Sequence, residues 1–202
     1  MTAFPISTND TPPAPPVTGG RRAFRYTLER YHAAIAAGIL TENDAVELIF
    51  GEIIEKLPIG KRHRDCVDLL TELFVLKFAG RHKCSPQNPI TLLGNSEPEP
   101  DFVVLNKATY AKRTGQPLAE DVLLLIEVSD STLDYDRTTK LTMYALAGIS
   151  EYWIINLKQD QVEVHLDPDT GTGEYNRIHR YRKNEEFTSP LCGIMHVVEV
   201  LP

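Results

Sequence analysis

The feature that most constrains the fold is a continuous apolar segment at residues 122–128, which reads VLLLIEV. Strands that are buried on both faces of a sheet have such runs, whereas strands with one face in water alternate apolar and polar residues. Residues 101–105 (DFVVL) and 152–157 (YWIINL) are apolar in the same way. The sequence therefore predicts a central sheet that contains these three segments as strands.

Two helical patterns and a hairpin pattern precede the central apolar run. Thr27 is typical of a helix N-cap. One face of the helix that it begins contains Leu28, Tyr31 and Ile35. Two apolar-rich runs on either side of Gly51 (AVELIF and EIIEKL) predict a β-hairpin. From about His63 to Phe78 apolar residues recur at helical spacing, and Gly80 ends this second helix.

A third helix and further strands follow. The apolar spacing predicts a helix from Leu133 to Ala147. Its candidate inward positions are Leu133, Leu141, Tyr144 and Ala145. ITLL, before the central run, is predicted as a strand, and QVEVHL, residues 175–181 and residues 196–200 are predicted as antiparallel edge strands. These elements predict an α/β fold: a mixed central sheet flanked by helices, with an N-terminal helix and hairpin and antiparallel C-terminal strands.

Composition separates a short tail from one domain. Residues 1–20 are rich in Pro, Thr, Ser and Gly, which is typical of a flexible tail, although an arm that docks on a partner subunit is the alternative. Residues 21–202 are predicted to form the domain. Apolar runs are far shorter than the roughly 20 residues of a membrane span, and there is no signal-peptide pattern. We therefore expect a cytoplasmic protein without membrane contact.

The charge balance argues against nucleic-acid binding through net charge. The chain has 21 basic and 28 acidic residues, which gives a net charge of −7. Any contact with nucleic acid would therefore depend on local patches or on metal ions that neutralise carboxylates. Cys66, Cys84 and Cys192 are widely spaced, which predicts reduced thiols and not a disulfide or zinc framework.

Four ionisable residues lie where a charge is costly unless it is paired or bound to a metal. Asp101 begins DFVVL, and Glu127 lies near the end of VLLLIEV. Glu47 interrupts AVELIF, and Lys140 lies on the helix after Glu127. Strand ends that meet in a sheet would bring Asp101 and Glu127 to one hard cation such as Mg²⁺, with Glu47 completing its ligands. Such an ion activates water for attack on a phosphodiester, and a nearby lysine stabilises the charge that develops.

Each of these residues also has an ordinary structural interpretation. Glu127 would pair with a neighbouring Lys or Arg, since structural ion pairs also contain perturbed carboxylates. Asp101 follows Pro100, and Pro-Asp is a common turn sequence. Lys140 lies four residues after Asp136, which is the spacing of an ordinary ion pair on a helix surface. The metal-site hypothesis therefore depends on the four residues together and not on any one of them alone.

Several basic residues are candidates for contact with nucleic acid, although the evidence for them is weaker than for the acidic set. His63 begins a helix and lies in the basic stretch GKRHR, for which a solvated helix start is the alternative. Residues 106–120 contain Lys107, Lys112 and Arg113 and are predicted as a DNA-facing loop, with a solvated loop as the alternative. The motifs GxSxG, GxxxxGK[ST] and GxGxxG are absent, so nothing supports a serine hydrolase, a P-loop protein or a dinucleotide-binding protein.

A long string, LLLIEVSDSTLDYDRTTKLTMYALAGISEYWIIN, together with PEPDFVVL and QVEVH, resembles the Uma2 family. VELIFGEIIEK and the helix beginning at His63 also fit the pattern of that family, so the resemblance covers about residues 24–200. The Uma2 family belongs to the PD-(D/E)XK nuclease superfamily, which has a restriction-endonuclease-like fold. The resemblance implies this fold and a nuclease function for the chain.

By this resemblance Asp101 and Glu127 are the two acids of the nuclease motif, and Glu47 is an earlier acid that helps to bind the metal. The motif lysine is expected two residues after the second acid, where this chain has Ser129. In Uma2-like sequences this lysine is found on the following helix, and Lys140 fits that place.

The resemblance thus implies a Mg²⁺- or Mn²⁺-dependent endonuclease that cleaves DNA as a homodimer. Tyr144, one helical turn after Lys140, is implied as a residue that supports the metal ligands. The displaced lysine and the negative net charge leave a second hypothesis, a catalytically inactive nuclease-fold protein that binds DNA or protein as a regulatory module. Hydrolysis of RNA or of another phosphodiester is a third hypothesis.

Overall fold

A computed structural model describes residues 23–202, so the predicted tail at residues 1–20 lies outside the described residues. The described chain forms two units. The first contains residues 23–56 and Leu92–Glu97, and the second contains Leu57–Thr91 and Pro98–Pro202. Glu47 therefore belongs to the first unit, and the other candidate site residues belong to the second.

The first unit contains the predicted helix and hairpin. Helix α1 (Leu28–Ala36) begins after Thr27, whose Oγ1 accepts a hydrogen bond from Arg30 N (3.3 Å). This bond satisfies one of the N–H groups that have no partner within the first turn of a helix. Strands β1 (Val46–Ile49) and β2 (Glu52–Glu55) pair antiparallel. The start of the helix and the hairpin are thus confirmed.

The predicted inward face of α1 is partly wrong. Tyr31 and Ala34 are buried, whereas Ile35 is 45% exposed. The Tyr31 hydroxyl donates a long hydrogen bond to the carbonyl of Val46 (3.5 Å). This contact holds the side of the helix with Tyr31 and Ala34 against the hairpin and leaves Ile35 on the other side.

A six-stranded mixed sheet dominates the second unit, in the order β3-β4-β5-β6-β7-β8. Its strands are β3 (Lys83–Pro86), β4 (Phe102–Leu105), β5 (Val122–Ser129), β6 (Glu151–Asn156), β7 (Gln161–Asp169) and β8 (Glu174–Arg182). Strands β5 and β6 are parallel, and the other neighbouring pairs in this sheet are antiparallel. The three apolar segments predicted as strands are β4, β5 and β6, and all three lie inside the sheet.

Several strand predictions are wrong. Strand β7 was predicted at an edge but lies inside the sheet; QVEVHL alternates because Glu163 and His165 are polar, although both are buried. ITLL forms isolated bridges instead of a strand, because Gly94 and Asn95, both with positive φ, turn the chain back after it. Residues 196–200 are mostly a 3₁₀ turn (Val197–Glu199), which follows a hairpin of β9 (Glu186–Ser189) and β10 (Gly193–His196).

Helix α2 (Lys61–Phe78) covers one face of the sheet, as its apolar spacing predicted. The ring of Phe74 is fully buried and lies 5.3 Å from the ring of Phe102 and 6.1 Å from that of Trp153. Ile126 and Val128 of β5 belong to the same core. Because side chains alternate along a strand, Glu127 points to the opposite face.

The helix predicted from Leu133 to Ala147 covers that opposite face, as three consecutive segments. They are α4 (Leu133–Tyr135), a π-helical turn that we call the π segment (Asp136–Lys140), and α5 (Leu141–Leu146). Of the predicted inward residues, Tyr144 and Ala145 are buried, whereas Leu133 and Leu141 are half-buried. The wider π turn changes which side chains face the sheet. The ring of Tyr144 packs 5.0 Å from that of Tyr152 on β6.

The short helix α3 (Lys107–Tyr110) begins the loop between β4 and β5, and the Asn106 side chain caps it. None of the helices within residues 23–202 has both the length and the apolar character that crossing a bilayer requires.

Gly51 is predicted to be essential to the hairpin turn. Its φ is +78°, and a Cβ at this position would lie 2.9 Å from both Tyr26 O and Arg25 Cβ. Gly51→Ala is therefore expected to lower the free energy of unfolding by roughly 1–3 kcal/mol. Gly115→Ala is the matched control, since no atom lies within 4 Å of the Cβ that it would add. Urea denaturation measures both variants, and equal stabilities would contradict this account of the turn.

Candidate active site

Asp101 and Glu127 lie side by side at one end of the β4–β5 pair. Asp101 directly precedes β4, in which Phe102 pairs with Ile126 of β5. Two hydrogen bonds join the segments: Asp101 N donates to Glu127 Oε2 (3.4 Å), and Val128 N donates to Asp101 Oδ2 (2.8 Å). The antiparallel register therefore brings together the two acids that the sequence placed at the start of one strand and near the end of the next.

Lys140 and Tyr144 both contact the buried carboxylate of Glu127. Lys140 Nζ donates to Glu127 Oε1 at 2.9 Å, and the Tyr144 hydroxyl donates to the same oxygen at 2.6 Å. The two donors come from the π segment and α5, one turn apart. The ion pair that the sequence left as an alternative for Glu127 thus exists, and its partner is the lysine of the predicted cluster.

Burial shifts the ionisation of Glu127. Its pKa is raised from 4.5 to about 8, mainly because burial disfavours the charged form. The Lys140 ammonium and the Tyr144 hydroxyl oppose this rise, whereas the charges of Asp101 and Asp136 add to it. An additional cation would therefore favour the carboxylate form of Glu127.

His63 joins the site from the first turn of α2. It is buried, and its Nε2 lies 3.0 Å from Asp101 Oδ2. Since Val128 N donates to the same oxygen, two contacts fix the orientation of the Asp101 carboxylate. The other ring nitrogen, Nδ1, is buried and has no hydrogen-bond partner among the described residues. The structure places His63 against an acid of the cluster, and the contact with nucleic acid predicted for it stays a prediction.

Asp136 is a further acid beside Glu127 and is buried, although the sequence suggested for it only a surface pair with Lys140. That interpretation is wrong, because Asp136 is 2% exposed and Lys140 is 8% exposed. Asp136 Oδ2 accepts hydrogen bonds from Ser129 Oγ and Thr132 Oγ1, both at 2.6 Å. Burial raises the pKa of Asp136, and the Lys140 charge and the two hydroxyls oppose this rise. The sequence feature that could have identified Asp136 is its position one turn before Lys140, on the predicted helix that also contains Tyr144.

Glu47 lies on β1 in the first unit, where it pairs in register with Ile54 of β2. Its side chain is buried in spite of its charge, as its place in an apolar run suggested. Its participation in a metal site with Asp101 and Glu127 stays a prediction.

The basic residues of the loop 106–120 have different surroundings. Lys107 and Lys112 are exposed. Arg113 donates to Asp121 from Nε (2.6 Å) and forms a second ion pair with Glu120, and these bonds raise its pKa above the ordinary value. The bonds of Arg113 thus lie within its own loop, whereas Lys107 Nζ donates to the carbonyl of Gly80 (3.4 Å). Contact with DNA stays a prediction for Lys107, Lys112 and Arg113.

The oxygen donors of the cluster fit a divalent metal ion. Asp101, whose side chain is 15% exposed, and Glu127 offer two carboxylates. Mg²⁺ commonly binds to one or two carboxylates and completes its octahedron with water and phosphate oxygens. Within residues 23–202 no group of three or more His, Cys, Asp or Glu side chains is arranged to hold a metal ion. Two carboxylates leave the remaining coordination positions of a divalent ion to water and to phosphate oxygens.

Comparison with known proteins identifies a family and a similar structure. The model of the Uma2 family, described as "Putative restriction endonuclease", matches residues 28–193. The crystal structure of a "putative nuclease belonging to DUF820" from Anabaena variabilis ATCC 29413 has a TM-score of 0.68 and 14% sequence identity, and the match covers 87% of this chain and 97% of that one. No curated protein matches significantly. The family resemblance and the fold class predicted from the sequence are both confirmed.

The raised pKa of Glu127 predicts that stability depends on pH. A carboxyl group whose pKa is higher in the folded than in the unfolded state binds its proton more tightly when folded, so the free energy of unfolding falls as pH rises from 4.5 to about 8. Glu127→Gln does not titrate and is expected to lose this contribution, on the order of a few kcal/mol across the window. Urea denaturation without divalent metal, repeated across this pH range, measures the difference. Parallel curves for the two proteins would contradict the assignment.

Proposed function

Because the chain belongs to the Uma2 family, we propose that it is a Mg²⁺-dependent endonuclease that hydrolyses phosphodiester bonds in DNA. The observation that carries this proposal is the hydrogen-bonded cluster of Asp101, Glu127 and Lys140 at one end of the β4–β5 pair. Two carboxylates and a lysine are the groups that metal-dependent phosphodiester hydrolysis requires: ligands for the ion and a cation for the charge that develops.

Asp101 and Glu127 would hold the ion, Mg²⁺ or Mn²⁺, whose other ligands would be water and phosphate oxygens. His63 and Val128 hold the Asp101 carboxylate through contacts with its Oδ2. Lys140 and Tyr144 hold the Glu127 carboxylate by donating to its Oε1. When bound, such an ion polarises a phosphate oxygen and lowers the pKa of a water that it binds.

Lys140 has the second role in the proposed reaction. It is buried, so its charge is poorly screened by solvent and acts strongly on a phosphate group nearby. From its position at Glu127 it stabilises the negative charge that develops on the phosphate and donates a hydrogen bond to the attacking water. Tyr144 holds Glu127 and His63 holds Asp101, which keeps both carboxylates oriented before the substrate binds.

DNA is the substrate that the family description favours. The exposed Lys107 and Lys112 are our candidates for contact with its phosphate backbone, which attracts cations whatever the base sequence. A homodimer would place one active site on each strand of a duplex. We place this activity in the cytoplasm, where free cysteines stay reduced.

A catalytically inactive module that binds DNA or protein is the second candidate function, and Ser129 is the observation that favours it. Ser129 occupies the position where the nuclease motif has its lysine, and its hydroxyl donates to Asp136. Such a protein would bind its partner without metal-dependent cleavage.

Asp101→Asn and Glu127→Gln test the proposed activity, because each removes a negative charge and leaves the volume nearly unchanged. We expect the unaltered protein to nick or linearise plasmid DNA with Mg²⁺ or Mn²⁺, and each variant to cleave at least about 100-fold more slowly. Asp68→Asn, which changes an exposed acid on α2, is the matched control and is expected to cleave at the unaltered rate.

Calorimetric titration with Mg²⁺ separates the two candidate functions. Heat of binding from the unaltered protein, and its loss in Asp101→Asn, would support the endonuclease. DNA binding that needs no metal, together with intact plasmid under every metal tested, would support the inactive module and overturn the proposed activity.

A further inference from the structure

The π segment has two cationic side chains, and each contacts a buried carboxylate. Lys140 pairs with Glu127, and Arg137 pairs with Glu163 of β7. π-helical turns are rare in proteins and occur frequently at functional sites. Lys140 is the last residue of this turn, so the contacts made along the turn bear on where its side chain lies.

The two carboxylates lie in one row of the sheet. Glu127 of β5 and Glu163 of β7 both pair in register with Ile154 of the intervening strand β6. They are on the same face and, at the usual strand spacing, about 10 Å apart. A helix lying across this face with Arg137 on one carboxylate and Lys140 on the other is fixed in its rotation about its own axis.

The contact of Arg137 with Glu163 has the geometry of a strong ion pair. Arg137 Nε lies 3.0 and 3.1 Å from the two carboxylate oxygens, and Nη2 also donates to Oε1. Glu163 is fully buried, and it has a second cationic partner, Arg180 of β8, whose Nε lies 3.1 Å from Oε2. A planar guanidinium that binds both oxygens fixes direction as well as distance.

The other contacts of the π segment lie nearer to β5. Ser129 Oγ and Thr132 Oγ1 hold the side chain of Asp136, and the Tyr152 hydroxyl donates to its carbonyl oxygen (3.1 Å). These bonds fix the first residue of the segment. Tyr144 of α5, which donates to Glu127, holds the other end of the segment. The contact of Arg137 with Glu163 lies between these two anchors and is the one that reaches β7.

We propose that Arg137 is a positioning residue: its ion pair with Glu163 sets the rotation of the π segment that brings Lys140 Nζ to Glu127. The consequence for cleavage rests on the proposed function, whereas the consequence for the Lys140–Glu127 contact does not. The Arg137 guanidinium binds to Glu163, which lies two strands away from Glu127, so Arg137 acts on the proposed reaction through Lys140.

Arg180 provides a matched control, because Arg137 and Arg180 neutralise the same carboxylate. Arg137→Ala and Arg180→Ala each leave Glu163 with one arginine, so both variants are expected to fold. The loss of stability is expected to be larger for Arg137→Ala, because Arg137 is less exposed and makes more hydrogen bonds with Glu163. Arg137→Ala is expected to lower kcat on the order of tenfold or more with little change in KM, since a small displacement of a catalytic group has effects of this size. Arg180→Ala is expected to keep kcat within about twofold, and Arg137→Lys is expected to recover part of the loss.

A double-mutant cycle with Lys140→Ala tests whether Arg137 acts through Lys140. If it does, adding Arg137→Ala to Lys140→Ala lowers kcat by less than about twofold further. Equal kcat values for Arg137→Ala and Arg180→Ala, or fully independent effects of Arg137 and Lys140, would overturn the proposal.

Crystal structures of the two alanine variants test the same proposal without any activity. In Arg137→Ala we expect Lys140 Nζ beyond hydrogen-bonding distance of Glu127 Oε1, and in Arg180→Ala we expect the contact to remain. An unchanged contact in Arg137→Ala would overturn the positioning role even if the protein cleaves DNA. Absence of cleavage by the unaltered protein would count against the proposed function alone.

Discussion

The burial of the Glu127 carboxylate is the constraint on which the rest of the site depends. Glu127 lies on a central strand, between two residues whose side chains belong to the main core on the α2 face. A carboxylate at such a place is costly unless donors and cations surround it. The start of β4 supplies one donor, and the helical segments on the opposite face supply Lys140 and Tyr144. The position of these helical segments therefore depends on the hydrogen bonds and the cation that the buried Glu127 carboxylate requires.

Ser129, at the position where the family resemblance implied a lysine, has a structural role of its own. Residues two apart in a strand share a face, so Ser129 lies on the same side of β5 as Glu127. The side chain there is small, and its hydroxyl donates to Asp136 instead of supplying a charge. The charge comes from Lys140, on the same helical segment that Asp136 begins. The cation and its carboxylate thus stay together although the lysine comes from a different part of the backbone.

Patterns along the chain predicted the parts of this arrangement that depend on local order. Apolar runs identified β4, β5 and β6, and helical spacing placed Lys140 and Tyr144 one turn apart. The contact of His63 with Asp101 joins residues 38 positions apart, and no local pattern contains it. Asp136 was missed for a related reason: its spacing from Lys140 is the same on an exposed and on a buried helix, and burial is decided by the sheet that the helix covers. Strand β3 (KCSP) has no alternation, and its pairing with β4 forms it.

The ionisation of the two acids in the central row separates their roles. Burial acts on both carboxylates in the same direction, toward a higher pKa. For Glu163, the bonds and charges of Arg137 and Arg180 outweigh burial, and the pKa lies below its ordinary value. For Glu127, Lys140 does not outweigh burial and the neighbouring acids, and the pKa is raised to about 8. Glu163 is therefore a carboxylate whose charge the fold already compensates, which suits the positioning role proposed for its pair with Arg137. Glu127 would gain from a further cation, which suits the proposed metal site.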